Sequence, residues 1–246
     1  MEGQTSVGRK IEAHEIYSSH LQEVRTVKVM IPQGDVGQSP LPVLYCHDGL
    51  EFFTHGRIAT IATRMMEEGL LRPLVIVGIA VSKTYRTEEY ASWGNRHEAY
   101  SRFVVEEVLP FIEEMYAVDT KRPLMAGISL GATATLSLAM QYPTLFTKLL
   151  LFSGAYFTPI LNAAKLEESF SNAHIFMRIG EQETDVKISD GTFHDFLQPN
   201  RTMRAILEEK GATVAYGEAE GTHIWGFWQG LLPDALQWIE QTEDNS

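Results

Sequence analysis

The 246-residue sequence predicts an α/β fold built on a mostly parallel sheet flanked by helices. Three observations carry this. Short, nearly continuous apolar runs recur along the chain, and runs apolar on both faces suit parallel strands covered by helices. Between them lie stretches whose apolar residues recur at helical spacing, and strand alternating with helix implies an α/β sheet. The N-terminal third instead alternates apolar with polar residues, as antiparallel strands with one wet face do.

The elements come in this order. Residues 22–31 (QEVRTVKVMI) read as a half-wet strand, and residues 10–18 resemble it more weakly. A polar loop, PQGDVGQSP, leads into five apolar runs: 42–46 (PVLYC), 74–80 (LVIVGIA), 123–129 (PLMAGIS), 148–154 (KLLLFSG) and 174–180 (HIFMRIG). A further strand-like run covers 212–217. Val104, Val108, Phe111 and Met115 share one helical face, as do Met203, Ile206 and Leu207, and Leu232, Ala235, Leu236 and Ile239. Residues 155–171 are the least patterned and are expected to form a small cap over the sheet edge. The tail QTEDNS is expected to fray. With no linker, repeat or low-complexity tract, one domain is expected over residues 1–246.

Composition narrows the function. Hydrophobic residues make up 44% and charged residues 21%, ordinary values for a soluble globular protein. A net charge of −12 argues against nucleic acid and against an anionic membrane surface as partners. The single cysteine, Cys46, permits no intramolecular disulfide, which fits a reducing compartment. The N-terminal stretch lacks the apolar core of a signal peptide, and no apolar run approaches 18 residues. A cytoplasmic location is expected.

The chemistry centres on residues 126–132, AGISLGA. An apolar strand precedes Ser129 and an alanine-rich helix comes after it. A serine on so tight a strand-to-helix turn is strained and points its hydroxyl out of the carboxyl end of the sheet. Its neighbours two residues away must be small, hence Gly127 and Gly131, the G-x-S-x-G pattern of α/β-hydrolase nucleophiles. The helix amides, led by that of Leu130, face the place where an oxyanion would form.

A serine needs a base, and the chain order of this arrangement is serine, acid, histidine. Three histidines lie beyond Ser129. His174 opens an apolar strand, and His194 lies in a polar stretch, DGTFHDF. His223 lies between the last strand-like run and the last helix, where the base is presented. Three carboxylates compete to be the acid after Gly180: Glu181, Glu183 and Asp185. Spacing alone does not choose among them. The run CHDGLEFF at 46–53 suits the second oxyanion donor, with Gly49 turning the backbone so that the amide of Leu50 faces the serine. His47 and Asp48 have no further ligands spaced to make a metal site. Cys46 ends a buried strand without an evident base. No metal and no cofactor are expected.

With these residues in hand, the chain resembles the putative-esterase family of α/β-hydrolases. That family includes enterobactin-type siderophore esterases, feruloyl esterases, esterase D-like enzymes and mycolyltransferases. The likeness runs from about residue 41 to 240 through VLYCHDGLEFF, VIVGIA and then RTEEY, YSRFVVEEVLPFIEEMY, the serine segment, GEQE and GTHIWGFW. It implies Ser129 as nucleophile, His223 as base and Glu183 as acid, with the amides of Leu50 and Leu130 forming the oxyanion hole. It makes Arg86, Glu89 and Tyr90 part of the pocket rim or its support, and Trp225 with Trp228 an aromatic pair behind the base. Arg86, Tyr90 and Trp225 are thus candidate substrate contacts, although packing is the more usual role of such residues. Ala132 stands where many relatives have a second glycine. The expected activity is a serine esterase working through an acyl-enzyme on a small-molecule ester, such as a siderophore lactone or a small acyl ester. The alternatives are an acyltransferase of the same fold and a non-catalytic binding protein on a hydrolase scaffold.

Overall fold

The computed structural model describes residues 7–34, 36–37, 40–188 and 190–243. In chain order it begins with β1 (Gly8–Ser18), β2 (Glu23–Gln33), β3 (Val43–Cys46), α1 (Gly49–Thr54), α2 (Ile58–Glu67), β4 (Val75–Ile79) and α3 (Arg86–Tyr90). Then come α4 (His97–Arg102), a π-helical turn (Phe103–Val108), α5 (Leu109–Met115), β5 (Leu124–Ile128), α6 (Leu130–Gln141), β6 (Lys148–Phe152) and α7 (Thr158–Leu166). The last part holds β7 (His174–Gly180), the short β8 (Val186–Lys187) and β9 (Phe193–His194), α8 (Leu197–Glu209), β10 (Thr213–Ala219) and α9 (Trp225–Glu243).

Eight strands form one sheet in the order β1-β2-β4-β3-β5-β6-β7-β10. β1 and β2 pair antiparallel, β2 meets β4 antiparallel, and every pairing from β4 to β10 is parallel. The α/β-hydrolase architecture expected from the sequence is therefore present, antiparallel N-terminal strands included.

The continuous apolar runs are explained by burial on both faces. In β6, Leu149 and Leu151 enter one core while Leu150 and Phe152 enter the other. One face is covered by α2 and α9 through Ile58, Ala62, Met65, Leu232, Ala235, Leu236 and Ile239. The other is covered by Val104, Val108, Ile112, Leu136, Ile160, Met203 and Leu207. At about 25 cal/mol per Å² of apolar area removed from water, these two layers are the main driving force for folding.

One local expectation is corrected. The face Val104, Val108, Phe111, Met115 holds only for its first half: Leu109 and Ile112 turn inward instead, and Met115 is half exposed. The cause is the π-helical turn, whose extra residue rotates the succeeding helix by roughly 100°. Residues 158–166 form α7, with Ile160 and Ala164 buried. The tail expected to fray from Gln241 continues α9 to Glu243, and residues 244–246 lie outside the described residues. Among the described residues, no helix is long and apolar enough to cross a membrane.

Candidate active site

The two parallel strands at the centre, β3 and β5, deliver the first groups. Ser129 sits between the end of β5 and the start of α6 with φ 57° and ψ −121°. This is left-handed backbone that a non-glycine residue rarely adopts, and surroundings must impose it. They do so through hydrogen bonds: Ser129 N–H donates to the Phe152 carbonyl (2.9 Å), and the Ser129 carbonyl accepts from Ala155 N–H (3.0 Å). The flanking glycines are required by contact. A Cβ on Gly127 would stand 2.1 Å from the Gly131 carbonyl oxygen, and one on Gly131 would stand 3.0 Å from Asp48 Oδ2.

The loop after β10 places His223 beside this serine, with Nε2 2.9 Å from Ser129 Oγ. On its other side His223 Nδ1 lies 2.5 Å from Glu183 Oε2. Glu183 is fully buried in the turn after β7, whereas Glu181 and Asp185 are exposed. The second carboxylate oxygen of Glu183 accepts Ser153 Oγ–H (2.6 Å) and Gly180 N–H (2.9 Å). The imidazole is packed between Phe196 and the edge of Trp228, at ring-centroid distances of 4.6 and 4.8 Å. His174 opens β7, and His194 lies in β9 bonded to Thr192, so neither takes this place.

The loop after β3 differs from expectation in one respect. The left-handed residue is Asp48, with φ 51°, not Gly49. Gly49 is needed because its chain presses on β4: a Cβ there would stand 2.1 Å from the Gly78 carbonyl carbon. Leu50 comes next, in the first turn of α1, and Leu130 opens α6. Amides in a first helical turn have no intrahelical acceptor and remain free to bind an anion.

Asp48 is clamped by α3. Arg86 Nε and Nη2 donate to Asp48 Oδ1 and Oδ2, both at 2.7 Å, and Asp48 N–H donates to Tyr90 Oη at 2.7 Å. The guanidinium also lies over the Tyr90 ring, 5.2 Å from its centroid. α3 is anchored in turn by fully buried Glu89, which takes Arg25 and Arg96. Tyr90 is fully buried, so the expected substrate contact is corrected to a place behind the loop. Arg86 and Trp225 do line cavities that reach Ser129. Replacing Tyr90 by phenylalanine orphans the buried Asp48 N–H. Chemical denaturation of Tyr90→Phe is expected to show a loss of about 1–3 kcal/mol.

Other nearby groups are chemically quiet. His47 is fully buried, with Nδ1 2.8 Å from the Tyr100 hydroxyl. Burial, reinforced by His97 and Arg86, pushes its pKa down to about 3, so it stays neutral. Burial pushes the Cys46 thiol far up, which leaves no thiolate for attack. Among the described residues, no group of three or more His, Cys, Asp or Glu side chains is placed to hold a metal ion.

Two cavities meet at Ser129 and His223. One of about 370 Å³ is lined by Trp93, Phe157, Phe196, Leu130 and Lys187. The other, of about 250 Å³, is lined by Asp48, Glu51, Lys83, Trp225 and Trp228. A cavity of about 360 Å³ between α6 and residues 167–173 contains no histidine or cysteine and lies apart from this chemistry. Sequence reasoning missed Ser153, Trp93, Phe157 and Phe196. Their signals, a Ser-Gly after a strand and scattered aromatics, are too common to single out.

Residues 18–239 match the sequence profile of the family described as "Putative esterase". The chain belongs to this esterase family. The esterase is 29% identical to the uncharacterised protein YjcH of Bacillus subtilis (strain 168), over 92% of this chain and 96% of that protein. It is 23% identical to an acetyl esterase of Caldicellulosiruptor saccharolyticus, over 93% and 97% of the two chains. Among solved structures, the enterobactin esterase of Shigella flexneri superposes with a TM-score of 0.80 at 20% identity, covering 95% of this chain. This esterase spans only 60% of that enzyme's length. A ferulic acid esterase superposes with a TM-score of 0.76 at 18% identity, covering 94% and 98% of the two chains. At such identities the structural likeness speaks for the fold. Family membership makes the protein a carboxylic ester hydrolase acting on a small-molecule ester.

Proposed function

We propose that the esterase works through a Ser129–His223–Glu183 triad and an acyl-enzyme intermediate. Ser129 Oγ attacks the ester carbonyl as His223 Nε2 takes its proton. The amides of Leu50 and Leu130 hold the tetrahedral oxyanion. His223 returns the proton to the leaving alcohol, and a water activated the same way releases the acid. Glu183 fixes the imidazole tautomer and stabilises its cationic form. The observation that carries this reading is the unbroken hydrogen-bonded chain from Ser129 Oγ through both ring nitrogens to a buried carboxylate. Ser129 is partly solvent-exposed, so water can reach the acyl-enzyme, which favours hydrolysis over transfer to a second acceptor.

The substrate we propose is a small acyl ester or a siderophore lactone, in keeping with the paired cavities and with the activities for which the acetyl esterase and enterobactin esterase relatives are named. Hydrolysis of p-nitrophenyl acetate tests the base. His223→Ala is expected to lower kcat by about 10⁴- to 10⁶-fold. A His223→Ala rate equal to wild type would remove the triad from consideration.

A further inference from the structure

Ser153 stands just after β6 as Ser129 stands just after β5, and it too is held in left-handed backbone, at φ 46°. It is fully buried, and so is its neighbourhood. Its N–H donates to the Arg178 carbonyl in β7 at 2.7 Å. The next residue, Gly154, is gripped by the side chain of buried Asn200 on α8. Gly154 N–H donates to Asn200 Oδ1 (3.2 Å), and Asn200 Nδ2 donates to the Gly154 carbonyl (2.7 Å). A glycine at residue 153 would adopt this backbone without the steric cost a serine bears. The side chain that bears it makes two contacts. Ser153 Oγ–H donates to Glu183 Oε1 at 2.6 Å, and Ser153 Oγ accepts the indole N–H of Trp228 at 2.8 Å.

We propose that Ser153 is a positioning residue for the catalytic carboxylate and that Trp228 sets the direction of its hydroxyl. A glutamate's terminal torsion is broad, so a carboxylate held at one oxygen can swing. Here Oε1 is fixed by Ser153 and Gly180, which leaves Oε2 aimed at His223 Nδ1. A serine hydroxyl has one proton and two lone pairs. With a lone pair taken by the indole N–H, that proton is directed to Glu183. Trp228 also stands edge-on to the His223 ring, so one residue supports both the base and the relay behind it. The strain at Ser153 is thus retained for the hydroxyl it presents.

This inference rests on the triad proposed above, and the test separates the two. Ser153→Gly, Ser153→Ala, Trp228→Phe and Glu183→Gln are made singly, and Ser153→Gly is also combined with Glu183→Gln. Kinetics and melting temperatures are measured for all. Removing a hydrogen bond to a charged group is expected to lower kcat of Ser153→Gly about ten- to a hundredfold. KM should hold, and both glycine and alanine at 153 should lower Tm by removing two buried hydrogen bonds, the glycine variant less because it relieves the strain. Ser153→Ala should lose kcat similarly and melt below Ser153→Gly, and it carries the test if the glycine variant does not fold. Trp228→Phe should lose less, in the same direction. In the Glu183→Gln background, adding Ser153→Gly should change kcat by less than about twofold, since coupled residues are not additive. Wild-type kcat in a folded Ser153→Gly or Ser153→Ala overturns the inference while leaving the triad intact. So does an undiminished loss in the Glu183→Gln background. Wild-type kcat in Glu183→Gln overturns the triad and this inference together.

Discussion

Replacing Ser129 by glycine is expected to lower ester hydrolysis by about 10⁴-fold or more and to give a protein that melts above Ser129→Ala. Both variants lose the hydroxyl and its contact with His223 Nε2. They differ in what the backbone at φ 57°, ψ −121° costs them. Alanine keeps the strain, which is worth roughly 1–3 kcal/mol for such a residue. Glycine relieves it and gives back roughly 0.5–1 kcal/mol in chain entropy. The net advantage of glycine is about 1 kcal/mol, or about 2–4 °C in a chain of this size. Ordinarily alanine is the more stabilising of the two. A lower melting temperature for Ser129→Gly than for Ser129→Ala would mean that the turn is not strained.

The second large effect separates the two glycines around that serine. Gly127→Ala puts a Cβ 2.1 Å from the Gly131 carbonyl oxygen and 2.6 Å from Ala132 N, backbone atoms at the start of a buried helix. Neither strand nor helix can yield without breaking the pairing of β5. A loss of about 3 kcal/mol or more is expected, with activity falling alongside. Gly131→Ala meets side-chain atoms instead, Asp48 Oδ2 at 3.0 Å and His47 Cβ at 3.4 Å, and the Asp48–Arg86 pair need give by only a few tenths of an ångström. Its loss should be about 1 kcal/mol. Equal losses in the two variants, read by urea denaturation, would contradict this account of the turn.

The sequence carried the sheet because burial on both faces leaves a composition signal. VIVGI, LMAGI and KLLLF are buried at every position, and their five-residue length separates them from α6, which is buried over ten consecutive residues. It also singles out Ser129 and His223, which the structure brings within 2.9 Å, since the turn demands small neighbours and the last loop offers one histidine. Position leaves three candidate carboxylates after Gly180, and family likeness points to Glu183 among them. Burial then separates it from Glu181 and Asp185 in space, a difference no local pattern encodes. The π-helical turn after Arg102 left no such mark, so the face of α5 was misjudged. Within CHDGLEFF nothing local marks the partner of Asp48. Its ion pair with Arg86, 38 positions away, exists only once α3 packs against the end of β3. Ser153 was hidden for the same reason: its partners, Glu183 and Trp228, lie far from it along the chain.

The central claim is an activated serine at position 129. Its most direct test is the intact mass of the protein after incubation with a fluorophosphonate, beside Ser129→Ala and His223→Ala. One adduct on the wild type, none on Ser129→Ala and a much slower one on His223→Ala is the predicted result. A folded wild type that stays unlabelled, or a Ser129→Ala variant labelled as fast as wild type, would contradict it.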